Sequence, residues 1–161
     1  MAKPFTQLAK DVLGFTGRAM EELARETVME LKDRGPYWDG DFEAAWEVQL
    51  GDADIPADRA KVGLPDPDGP ANKVITPVAI PKQPLARPVG YTIGNRMNYR
   101  AIAMDIEPSP RGKDGQYEYR GDRPGATAIK GWFETFNQGG ELLRVMDKAV
   151  GRAARATGFG K

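Results

Sequence analysis

Gly35-Pro36-Tyr37-Trp38-Asp39-Gly40-Asp41-Phe42-Glu43-Ala44-Ala45-Trp46-Glu47-Val48-Gln49-Leu50 is the stretch in which the hydrophobic period of this chain changes. Before it, Phe5, Leu8, Val12, Phe15, Ala19, Leu23, Thr27 and Leu31 recur at three- and four-residue steps, widened by Leu13, Met20, Ala24 and Val28. That spacing predicts a long amphipathic helix from Phe5 to Lys32. Pro4 suits its first position and Gly35-Pro36 its end, while Gly14 and Gly17 are places for a kink or a late start. Inside the quoted stretch Phe42, Ala44, Trp46, Val48 and Leu50 alternate, the period of a strand packed on one face. A strand is expected over 45–50. The residues from Phe42 onward can instead continue a short helix, because Glu43-Ala44-Ala45 has good helix propensity.

The segment that follows is acidic and rich in proline, with Pro56, Pro65, Pro67 and Pro70. It predicts an extended loop or arm over 51–88 in a chain otherwise read as one domain, 1–161. Val74, Thr76, Val78 and Ile80 alternate, but Pro77, Pro81 and Pro84 allow only an edge strand or an extended arm. Val89 to Ile93 alternates again and points to a second strand, with Gly94-Asn95 as its turn. Tyr99, Ile102, Ala103 and Ile106 have the spacing of a short helix, and Lys113-Asp114-Gly115-Gln116 that of a tight turn before Tyr117-Glu118-Tyr119. The last stripe is Ile129, Trp132, Phe133, Phe136, Leu143, Met146, Val150 and Ala153, interrupted by Gly139-Gly140, which allows two helices or a kinked one. The fold expected is α+β: a small antiparallel sheet packed against a long N-terminal and a C-terminal helix.

Composition narrows the chemistry. The 161 residues contain no His, no Cys and a single Ser, Ser109. Ser/His and Cys/His nucleophiles, imidazole-ligated metals and sulfur-ligated zinc cannot be assembled from them. No cofactor and no metal site is expected. Carboxylate chemistry survives, and Asp39, Asp41 and Glu43 at alternate positions place it on one strand edge, as glycoside hydrolysis needs. Asp66-Pro67-Asp68-Gly69 has the opening of a calcium loop, but the prolines and the missing downstream Glu leave a solvated turn. No run approaches the length of a membrane span, and the N-terminus lacks the apolar core of a signal peptide.

Formal charge is zero, yet residues 35–70 carry nine acidic and two basic residues, a net of −7, so the rest carries +7. Arg144, Lys148, Arg152 and Arg155 line a basic stripe on the C-terminal helix. The bland readings are a solvated acidic loop and a solvated helix face. The sharper one is that loop and stripe meet between copies, as in a head-to-tail ring, or that the stripe touches phosphates. Trp46, Trp132 and Phe136 read as core, whereas Trp38, in a Gly- and Asp-rich turn, is either exposed at an interface or buried. The interface candidates are therefore Trp38, Asp39, Asp41, Asp66, Asp68, Arg144, Lys148, Arg152 and Arg155.

In this order, three stretches resemble the tail-completion or head-tail joining proteins of tailed bacteriophages. The first runs from Gly35 to Val48, a turn after the long helix with a Trp and a strand. The second is Tyr91-Thr92-Ile93-Gly94-Asn95 followed by Tyr99 to Glu107, a strand ending in Asn and then a short helix closing on an acidic residue. The third is the apolar C-terminal helix. The chain departs from that pattern in its 51–88 insertion and in Glu107-Pro108. The resemblance implies a non-enzymatic ring subunit, often six-fold, made in the host cytoplasm and built into the virion neck. Its partners there are its own copies and the neighbouring neck, portal-side and tail-tube proteins. DNA passes through the bore without sequence-specific binding. A tail terminator or stopper is the near alternative; a carboxylate-based lysis enzyme or a nucleic-acid-binding module is the distant one.

Overall fold

In the computed structural model the described residues are 4–35, 40–60, 75–84, 86–98, 100, 104 and 131–159. Helix α1 spans Phe5–Arg34 and is followed by a single helical turn, α2, Asp41–Ala44. Strands β1, Trp46–Leu50, and β2, Tyr91–Asn95, form a two-stranded antiparallel sheet, and helices α3, Trp132–Gln138, and α4, Glu141–Thr157, close the chain. The architecture is α+β. Pro4 precedes α1 with φ −54° and ψ 143°, outside the helix rather than in its first position. Gly14 and Gly17 do not interrupt α1. Gly17 is where Gln83 approaches: a Cβ there would lie 3.4 Å from Gln83 Cβ, so the small residue gives the loop room against the helix.

Of the two readings of residues 42–45, the helical one is realised. Asp41–Ala44 turns once after Gly40, whose φ of 83° favours glycine. Trp46 then pairs with Asn95 and Leu50 with Tyr91, a register that puts Trp46 and Val48 in the core. Gly94 and Asn95 lie inside the strand rather than in a turn. The Asn95 side chain, 1% exposed, explains why: its Nδ2 donates to the Phe42 carbonyl at 2.7 Å and its Oδ1 accepts from the Met97 amide at 3.0 Å. Asn95 thereby fastens the end of β2 to the turn before β1. Arg100 and Met104 share one i to i+4 backbone bond, 2.9 Å. The rest of the helix expected over 99–106, the turn at 113–119 and Ile129 lie outside the described residues.

Core residues Ala24, Val28 and Leu31 of α1, Phe42, Trp46 and Val48, Met97, Trp132 and Phe136, and Val145 form one cluster. Helices α1 and α4 run antiparallel, since Arg34 meets Glu141 at 2.6 Å near one end and Phe15 stacks on Phe159 at the other. The glycine pair breaks the last stripe into two helices, Gly140 taking φ 82°. That break resets the helical phase. Val145, Ala149 and Ala153 face inward on α4, and Leu143, Met146 and Val150, expected on the buried stripe, stand 64%, 42% and 48% exposed.

The 51–88 segment is not a free arm where it is described. Residues 51–60 lie along the sheet: Gly51 donates to Gly90, Ile55 is buried against Gly94, and Arg59 exchanges backbone bonds with Arg96 and Asn98. Residues 75–84 run without strand pairing, so the edge-strand reading fails and Val78 and Ile80 pack on the core as loop residues.

Candidate functional site

Trp38, Asp39, Asp66 and Asp68 lie outside the described residues. Asp41 opens α2 and lines a cleft of about 280 Å³ with Ala44, Arg59, Ala60 and Met97. Glu43, expected beside Asp41 on a strand edge, sits instead on the helical turn and points inward. Its carboxylate meets Lys32 Nζ at 2.9 Å with side-chain exposures of 4% and 1%. Thr76 completes the arrangement, donating its amide to Glu43 at 2.8 Å and accepting from Lys32 on its carbonyl, 2.5 Å, and hydroxyl, 3.0 Å. Every strong group in this network has a partner. It is a clamp holding the loop on the end of α1, and the alternating carboxylate edge does not form.

The basic stripe divides in two. Lys148 Nζ lies 2.6 Å from Glu26 on α1, and Arg152 donates to the other oxygen of the same carboxylate, which is 9% exposed. Those two cations fasten α4 to α1. Arg144, 75% exposed, makes only a 3.4 Å contact with Glu141 one turn back, and Arg155 is exposed with no ion pair among the described residues. The acidic segment is likewise partly neutralised at home. Arg96 holds Asp58 through two bonds of 2.8 and 2.5 Å and reaches Glu47 at 3.5 Å. Hydrogen bonding to that guanidinium holds the Asp58 carboxyl below the usual carboxylate range. What remains outward is Asp52 and Asp54 on one side and Arg144 and Arg155 on the other. Among the described acids of that segment and cations of that stripe, these four are the exposed charges that no close ion pair holds, so a contact between segment and stripe of different copies falls to them and not to the whole stripe.

The sequence reading missed the apolar surface. Phe5, Leu8, Val12 and Leu13 are 83%, 48%, 41% and 37% exposed, although their spacing is that of a buried stripe. Helix α4 carries a second exposed set in Leu143, Met146 and Val150. An apolar groove of about 210 Å³ is lined by Met20, Leu23 and Thr27 of α1, Tyr91 and Ile93 of β2, and Leu142 and Met146 of α4. The available signal was length: α1 has 30 residues and α4 has 17, so the shorter cannot cover the longer. Exposed apolar surface of this kind marks a site of interaction or a ligand groove. Comparison with family models, curated proteins and solved structures finds no match to this chain. Among the described residues no helix is long and apolar enough to cross a membrane.

Proposed function

We propose that this chain is a structural subunit of a ring in the neck of a tailed bacteriophage, at the joint between DNA-filled head and tail. The observation that carries the assembly part of this reading is the exposed apolar surface on α1 and α4, which the described chain leaves uncovered. The neck position rests on the resemblance of three motifs. Two of them have structural work in the fold: Trp46 fills the core beside Phe42, and Asn95 ties β2 to the turn before β1. The clamping of Glu43 by Lys32 removes one member of the carboxylate set on which a lysis enzyme would depend. A terminator or stopper of the same neck would share every feature above.

Deleting the gene from its phage and imaging the lysate by electron microscopy tests the reading. DNA-filled heads beside unattached tails of normal length are expected. Overlong tails would move the protein to the terminator, and complete virions held in unlysed cells would refute a neck role.

A further inference from the structure

Phe5, Leu8 and Val12 belong to the helical stripe that Phe15 continues, and Phe15 is where cover begins, its ring stacked 4.5 Å from that of Phe159 just beyond α4. Toward the N-terminus of α1 from that point the same face is open. On α4, Leu143, Met146 and Val150 form a stripe beside the buried edge of Val145, Ala149 and Ala153. The two open stripes share one spacing, i, i+3, i+7, and each is about 10 Å long at 1.5 Å per residue.

We propose that the N-terminal turns of α1 in one copy dock, head to tail, on the Leu143, Met146 and Val150 stripe of α4 in a second copy. The neighbour's α4 then continues along α1 the cover that the chain's own α4 gives from Phe15 onward. Two features select a second copy as the occupant. The chain itself supplies both stripes with matching lengths, and α1 already packs on α4 within the chain. A symmetric pairing of the N-terminal turns with themselves would leave the α4 stripe in water, whereas the head-to-tail contact buries both.

The area is limited. From the fractional exposures the six side chains offer on the order of 600 Å² together, taking about 200 Å² for a whole large side chain. A standard interface buries roughly 700 to 1,100 Å² of apolar surface. One contact is therefore weak, and closing a ring, in which every copy makes two, is what secures it. The inference rests on the ring reading for its setting, but its test does not use the phage.

The experiment is sedimentation velocity of the full chain over a concentration series. It compares wild type, Leu8→Glu with Val12→Glu, and Leu143→Glu with Val150→Glu, with thermal melts to establish folding. Should a charged variant melt early, the Gln versions replace it. Wild type is expected to grow beyond monomer and each double variant to stay monomeric. An equimolar mixture of the two variants, each retaining the surface the other lacks, can form no more than a one-to-one dimer, weaker than the wild-type assembly because no ring closes, and growth of the mixture past that dimer would count against head-to-tail docking. A monomeric wild type at every concentration, or assembly that survives in either variant, would overturn the proposal. Assembly through this contact together with normal virions from the deletion phage would sink the neck reading and leave the contact standing.

Discussion

Removing Glu43 leaves the Lys32 ammonium, 1% exposed, with no carboxylate and only the Thr76 oxygens as partners. Breaking a buried pair from one side costs about 3–5 kcal/mol, because the surviving charge is left desolvated. Glu43→Ala should therefore lower stability by that amount, a large share of the 5–15 kcal/mol typical of a domain. With a urea slope of about 2 kcal/mol/M the midpoint falls by roughly 1.5–2.5 M. Lys32→Met together with Glu43→Leu should recover to within about 1 kcal/mol of wild type, since neither charge then needs a partner. Thr76 lies at the surface, so water can take over its amide. The assay is urea unfolding followed by circular dichroism on Glu43→Ala and on the cycle of wild type, Lys32→Met, Glu43→Leu and their double, with hydrogen exchange at the Thr76 amide reporting release of the loop. Singles that each cost under about 1 kcal/mol, or a double that costs their sum, would show that the pair is not a coupled clamp.

Lys148→Glu with Arg152→Glu sets two new carboxylates against Glu26 and should destabilise the fold by about 1–3 kcal/mol, discounted for the half-exposed cations. Arg144→Glu with Arg155→Glu should stay within about 0.5 kcal/mol in the same melt, and loss of assembly in that stable variant would locate an electrostatic contact. The Asp58 carboxyl, held low by Arg96, should titrate below the ordinary carboxylate range by carbon-detected NMR and rise toward it in Arg96→Gln. Its folded-state value being depressed, its contribution to stability is present above the ordinary carboxylate range and fades as pH falls through the lowered value; an unmoved Asp58 in Arg96→Gln would contradict the assignment. Gly94→Ala should cost about 1–3 kcal/mol by overpacking, because its Cβ would lie 3.0 to 3.1 Å from three atoms of buried Ile55. Adding Ile55→Val or Ile55→Ala should return part of that loss.

The sequence by itself determined the elements that obey one period over many residues. A stripe repeating through eight positions specifies α1 and alternation specifies Trp46–Leu50, because backbone geometry fixes those periods locally, while Gly139-Gly140 marks an interruption that the sequence leaves as either two helices or a kinked one. It determined too that histidine and cysteine chemistry is closed to this chain. Tertiary structure decided everything that depends on which surfaces meet. Phe5 and Phe15 carry the same local signal, yet only Phe15 has α4's end to stack on, since two antiparallel helices of unequal length cannot cover each other. Leu143, Met146 and Val150 look like core until the glycine pair sets the rotation of α4 and turns them out. Glu43 reads as one carboxylate of a strand edge, and only a loop returning 33 residues later with Thr76 makes it half of a buried pair with Lys32. Periodicity is encoded by neighbours in the chain, whereas burial and charge pairing are set by residues far apart in it, and a single sequence does not print that second relation.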